Sequence, residues 1–384
     1  MTDTARIRRP SSILLRGSLA AALVVGLLVA GLPAAQAFPT KLSANGQQDF
    51  NYGSSAQSSG GPATTAKPES KLFYTGDGVS EPVRWWAVLG TSGQNAPAAG
   101  VWLFELVNHA WVARMQLPGA DPWAKGDTVF DGTTLYVSTR DQTASAPGNP
   151  RQSSLYKIPY LGNGTFGTAN IGPFPITTAS IEALTIAVDT VGRVWTTFEQ
   201  GQQIKVAFTA AGGTSFSQPT TISQTNVNSD DISAITAFGG KIGVFWSDQV
   251  ARKDFFAWRS DGAAVNPLAP WNVETAFGGG VGGCPTASSG LCADDHMNLK
   301  VSGNEVYVAI KTSLGDGAGT SPSDPLITLL RRSANGSWAS FPVSPVSQDA
   351  TRPITVLSPL QDRIWVWAQR GREIDVWESS LTSP

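Results

Sequence analysis

The feature that most limits what this chain can become is a strand that keeps returning. An apolar, aromatic-centred segment appears as Trp85-Trp86-Ala87-Val88, Leu135-Tyr136-Val137, Val194-Trp195-Thr196, Ile242-Gly243-Val244, Val306-Tyr307-Val308 and Ile364-Trp365-Val366, with Gly243 standing where the other copies carry a ring. The anchors at 86, 136, 195, 243, 307 and 365 are 48 to 64 residues apart, the size of a unit of four short strands. Later in most units a turn is followed by an aromatic: Asn108-His109-Ala110-Trp111, Asn163-Gly164-Thr165-Phe166, Gly212-Gly213-Thr214-Ser215-Phe216 and Asn335-Gly336-Ser337-Trp338, with Ser260-Asp261-Gly262 at the same point of the fourth unit. Asn and Gly supply the positive φ of a tight hairpin, and the ring behind the turn packs against a neighbouring sheet. Six units, roughly Lys67 to Leu117, Ala124 to Thr177, Ile181 to Ile222, Asp230 to Ala276, Asp294 to Ser344 and Thr351 to the end, predict an all-β fold, a six-bladed β-propeller of four-stranded blades spanning 67 to 384.

Composition agrees with short strands and tight turns: 40 Gly, 25 Pro and 13 Trp, with charged residues at only 15%, and no long helical period. The sixth unit stops too early for a fourth strand of its own. An open ring would leave strand edges and backbone groups unpaired. A strand from Phe38 to Phe50 is therefore expected to join the last blade and close the ring, with the Gly/Ser-rich stretch up to residue 66 as connector.

The first 37 residues stand apart. Arg6, Arg8, Arg9 and Arg16 precede or flank an apolar run, and Ala35-Gln36-Ala37 is a small-x-small cleavage site, the pattern of a secretory signal peptide cut near Ala37. Whether export follows the general or the twin-arginine route is open. No later stretch has the roughly 18 apolar residues of a membrane span, so the product is expected outside the cell. The whole chain carries a net charge of −2, about −5 without the leader's four arginines and one aspartate, which gives no electrostatic reason to bind nucleic acid. In an exported chain the only two cysteines, Cys284 and Cys292, are expected to form one disulfide.

In a propeller the residues opening each unit gather around one mouth of the central channel. Here they are Glu69, Asp127, Glu182, Asp231, Asp295 with His296, and Arg352; a wider ring from the second-strand ends includes Arg140, Asp141, Glu199, Asp248, Lys311 and Arg370. Converging carboxylates can divide the roles of acid and base or nucleophile, as glycoside hydrolysis requires. Asp127, Glu182, Asp231, Asp295 and His296 are thus the candidate catalytic residues, and Glu69, Arg140, Lys311 and Arg352 the candidate substrate contacts. A lyase acting on uronates would instead use His296 as base and Arg352 against the substrate carboxylate. The bland reading is that these carboxylates cap backbone N–H groups or hold a structural Ca2+. Asp294-Asp295-His296 is not expected to hold zinc, because side chains alternate along an extended strand; no cofactor is expected. Trp195, Trp246, Trp365 and Trp367 are expected between blades, whereas Trp123 and Trp271 lie in loops where they could stack on a sugar.

Lys67-Pro68-Glu69-Ser70-Lys71-Leu72, Glu182-Ala183-Leu184, Ser229-Asp230-Asp231-Ile232-Ser233-Ala234, Ala293-Asp294-Asp295-His296-Met297-Asn298-Leu299-Lys300 and Thr351-Arg352-Pro353-Ile354 resemble the blade openings of secreted bacterial sialidase-like propellers of the BNR-repeat type, and the turns resemble degraded Asp-boxes. That resemblance covers nearly all of the mature chain and implies a propeller in a group of glycosidases, polysaccharide lyases and non-catalytic binders. The arginine triad and Tyr/Glu pair of a sialidase have no counterpart by motif. The expectation is a secreted, monomeric protein that binds or processes a polysaccharide or glycoconjugate, by hydrolysis or elimination if it is an enzyme; the alternative is a non-catalytic interaction or adhesion module.

Overall fold

A computed structural model describes residues 41–42, 68–91, 96–122, 124–140, 152–262, 270–278, 292–316 and 320–384, all within the unit Ala37–Pro384. The expected signal peptide, the Gly/Ser-rich connector, Trp123, Asp141 and Cys284 lie outside the described residues, and with Cys284 the expected disulfide.

Six antiparallel sheets follow one another along the chain, and five of them run from an innermost first strand outward in sequence order. Their innermost strands are Leu72–Thr75, Thr128–Phe130, Thr185–Val188, Ser233–Phe238, Met297–Ser302 and Thr351–Ser358. The sixth sheet takes its outermost strand from the other end of the chain: Lys41 pairs with Trp377 and Leu42 with Val376. The fold is a six-bladed β-propeller, closed as the strand count demanded.

The turn chemistry does what the sequence required. Asn108 and His109 have φ of 47° and 65°, and Asn163 and Gly164 have 50° and 73°, so each two-residue turn matches the twist of its strands. The ring after the turn then reaches the preceding blade. Phe166 meets Trp86 edge-on at 5.0 Å, and Trp338 meets Phe256 at 5.5 Å. Trp338 is also held by its indole N–H, which donates to Glu274 at 3.0 Å.

Burial of these apolar faces, at roughly 25 cal/mol per Å², is concentrated between blades. Separate clusters join blades 1 and 2 through Trp86 and Tyr156, blades 2 and 3 through Tyr136 and Phe198, blades 3 and 4 through Trp195 and Trp246, blades 4 and 5 through Phe245 and Met297, and blades 5 and 6 through Tyr307 and Trp377. The remaining cluster, Ala87, Leu89, Trp102 and Phe104, belongs among the described residues to blade 1 alone. Among the described residues, the boundary between blades 6 and 1 is the exception in the ring.

At the axis, side chains lace neighbouring inner strands together. Asp127 Oδ2 accepts the N–H of Ile186 at 2.9 Å, Thr185 Oγ1 that of Ile235 at 3.0 Å, and Asn298 Oδ1 that of Thr355 at 3.0 Å. An inner strand has no sheet partner on its axial side, so an acceptor from the blade before satisfies a backbone N–H that would otherwise be buried unpaired. Asp127 also accepts the Ser70 N–H at 2.7 Å and so ties three blades.

Candidate functional site

Three carboxylates from three blades meet at the mouth where the inner strands begin. Glu182, Asp230 and Asp295 each place an oxygen within 4.8 Å of the other two. Glu182 and Asp295 are half-buried and Asp230 is exposed. Local backbone chemistry explains how each arrives there.

In blade 4 the segment before the inner strand closes on itself. The Asp231 N–H donates to the Asn228 carbonyl at 3.1 Å, and the Asn228 N–H returns to Asp231 Oδ2 at 2.7 Å. Asp231 Oδ1 further accepts from Ser247 Oγ at 2.9 Å, and both its oxygens receive the Gln249 N–H. Asp231, fully buried, thus fastens the turn, and its neighbour Asp230 is the one presented at the mouth. The sequence offers the doublet Asp230-Asp231 and singles out the second; the structure gives the exposed position to the first.

In blade 5 the inner strand begins only at Met297, and the chain bends at Asp295. Strand alternation therefore does not govern Asp294-Asp295-His296, whose ligand-type atoms lie within 4.8 Å of one another. The geometric ground for excluding a metal there does not hold. His296 Nδ1 is 2.6 Å from Asp294 Oδ1 and 2.7 Å from Asp295 Oδ1, and its buried Nε2 has no hydrogen-bond partner among the described residues. Lys311 Nζ donates to Asp294 Oδ2 at 2.6 Å. Burial would raise the Asp294 carboxyl, but His296 and Lys311 hold it below the usual range.

On the other side of the mouth the charges pair with one another. Glu69, with a fully buried side chain, receives Arg140 Nε at 2.6 Å and the Leu184 N–H at 3.2 Å. Burial alone would raise its pKa, but Arg140 and Lys71 bring it below the ordinary glutamate value. These two candidate substrate contacts are turned into the protein and join blades 1, 2 and 3. Lys125 lies close enough to Glu69 and Glu182 to feel both charges, although burial and Arg140 pull its pKa down. Arg352 is exposed on a bulge of blade 6, with φ of 55°.

Asp127, a candidate catalytic group, sits in the channel below the mouth, and burial lifts it to about 6 against its two backbone donors. Asp231 is likewise lifted to about 6 by burial. Behind the mouth lies Asp254, which the sequence did not single out. It is 1% exposed, and neither oxygen has a hydrogen-bond partner among the described residues. Burial, then Asp231, Asp294 and Asp248, push it well above the carboxylate range. No spacing rule could have found Asp254, which belongs to a third strand, Lys253–Ser260.

Trp195 and Trp246 are buried, whereas Trp367 is 43% exposed. Trp271 is half-buried, and its ring meets Trp195 edge-on at 6.0 Å.

No family model matches the chain, and no curated protein does. Among solved structures, the GH93 α-L-arabinofuranosidase of Fusarium graminearum is similar at 8% identity, over 81% of this chain and 92% of that one, with a TM-score of 0.45. A GH43 endo-arabinanase from Bacillus licheniformis is similar at 12% identity over 72% and 99%, with a TM-score of 0.37. A protein of unknown function from Dyadobacter fermentans is similar at 10% identity over 78% and 90%, with a TM-score of 0.43.

Proposed function

We propose that this is an exported glycan-processing propeller, a glycoside hydrolase whose reaction takes place at the acidic mouth. The observation that carries the reading is the meeting of Glu182, Asp230 and Asp295 from three different blades, with oxygens within 4.8 Å of one another. At an effective dielectric near 20, two unit charges this close repel by about 3 kcal/mol. A proton held among them, or the developing positive charge of an oxocarbenium-like transition state, relieves that repulsion. In this reading Asp295, set against His296, is the nucleophile, and Glu182 gives its proton to the leaving oxygen. Asp230 completes the negative field around the sugar ring. Separations near 5 Å belong to retaining hydrolysis and wider ones to inverting, so the product should keep its anomeric configuration.

The test is a panel of polysaccharides offered to the mature protein, with new reducing ends and ultraviolet absorbance of an unsaturated product as separate readouts. Reducing ends without unsaturation, abolished in both Glu182→Gln and Asp295→Asn, are expected. Unsaturated product would instead assign a lyase. No turnover on any glycan would leave the alternative of a non-catalytic module and end the hydrolase proposal.

A further inference from the structure

The junction between blades 6 and 1, which lacks a shared core cluster among the described residues, opens into a cavity of about 950 Å3 away from the acidic mouth. Its walls are apolar and ring-rich. Blade 1 supplies Leu72, Tyr74 and Trp85, which are 58%, 56% and 49% exposed, and blade 6 supplies Val356, 42% exposed. Phe130 and Tyr160 of blade 2 line it too. Tyr74 and Trp85 rest against each other at 5.6 Å, and each stays about half exposed. Side chains of this size exposed together in one concavity are what a ligand site presents, and the volume is that of small-molecule pockets.

One cation breaks this surface. Lys300 lines both the large cleft and the smaller channel cavity of about 330 Å3. Its ammonium reaches from blade 5 to donate to Ser70 Oγ of blade 1 at 2.8 Å. Among the described residues that is one neutral acceptor for three N–H donors. Burial pulls its pKa below the usual lysine value, opposed only by Asp127, so an anion brought to it would be paired in a poorly solvated place. The acidic side chains of the cleft are already engaged. Asp77 accepts the N–H groups of Val79, Ser80 and Glu81, and Glu81 accepts that of Gly164 at 3.2 Å.

We propose that the cleft between blades 6 and 1 binds a small amphipathic ligand, an apolar alkyl or aromatic body lying along Leu72, Tyr74, Trp85 and Val356 with a single anionic head paired to Lys300. The site is independent of the acidic mouth and of any reaction there. It commits the ligand to one orientation, head toward the axis and tail toward the rim.

Dodecanoate and dodecanol serve as probes for calorimetric titration of the mature chain, with tryptophan fluorescence as a second readout. One dodecanoate per chain is expected, bound at least tenfold more tightly than dodecanol. In Lys300→Met that advantage should vanish while dodecanol binding stays; Lys300→Arg should restore it. Trp85→Ser changes a half-exposed side chain and should weaken both probes, which keeps the test valid if Lys300→Met fails to fold. Several results would overturn the proposal: no binding of either probe, equal affinity for both, an unchanged dodecanoate affinity in Lys300→Met, or binding of an acidic oligosaccharide in place of dodecanoate.

Discussion

Two sets of carboxylates open the blades of this propeller, and they differ in what surrounds them. Glu69, Asp127 and Asp231 are buried and engaged by donors: a guanidinium and a backbone N–H at one oxygen of Glu69, two backbone N–H groups for Asp127, and two N–H groups with a hydroxyl for Asp231. Glu182, Asp230 and Asp295 are more exposed and approach one another. Residue type and position in the blade are shared, so neither decides the role. The first set holds blades together because a buried acceptor facing N–H groups is costly to remove; the second can meet a ligand because its members converge at a surface.

The largest effect of breaking this contrast is expected at Glu69. Removing one partner of a buried ion pair leaves the other charge uncompensated, at about 3–5 kcal/mol. Glu69→Ala strands Arg140, whose side chain is 3% exposed, and also the Leu184 N–H. Denaturant unfolding should show a loss of this size. A loss under about 1 kcal/mol, typical of an exposed pair, would place Glu69 with the mouth set instead.

The mouth should respond in the opposite sense. Glu182→Gln and Asp295→Asn are expected to lower turnover by about 10²- to 10⁴-fold, the range for losing a proton-transferring or nucleophilic group. Their melting temperatures should stay near that of the parent. A variant that melts much earlier yet keeps its turnover would move its residue to the first set.

Asp127 gives a sharper comparison because Asn is nearly isosteric. Each Asp127 oxygen accepts one backbone N–H, from Ser70 at 2.7 Å and from Ile186 at 2.9 Å. Asn has a single acceptor oxygen, so in Asp127→Asn one N–H must face an amide NH2. A cost of about 1–3 kcal/mol follows from one buried donor left unmet, measurable by urea unfolding. No change would mean that the lacing does not contribute.

The fold was legible because its signals are local and repeated. The aromatic anchors of second strands, the Asn-Gly turns and the missing fourth strand of the last unit each follow from backbone rules, and together they imply a closed ring. The mouth was legible only in part. Glu182 and Asp295 could be found because each opens a blade. Asp230 was passed over for Asp231 because choosing between adjacent aspartates needs the turn that Asn228 and Asp231 close by reciprocal hydrogen bonds. Alternation misled the reading of Asp294-Asp295-His296 because the strand starts two residues beyond Asp295. The burial of Arg140 and the solitude of Asp254 depend on contacts between blades, which no periodicity encodes.

Asp254 supplies the last test, through pH. Its carboxyl is held well above the usual range by burial and by Asp231, Asp294 and Asp248, so the folded chain keeps a proton there that the unfolded chain has released. Between the unfolded value near 4 and the higher folded one, the native state binds more protons, and stability must fall as pH rises. Asp127 and Asp231 add to this fall only up to about 6. Glu69 and Asp294, whose values are lowered, act in the reverse direction and lose their contribution on acidification. Asp254→Asn makes no hydrogen bond worse, because the aspartate has none among the described residues. Its melting temperature should match the parent near pH 4 and exceed it by a few degrees at pH 8. Parallel curves across that range would show that Asp254 titrates alike in both states, and would return it to the ordinary acids of the ring.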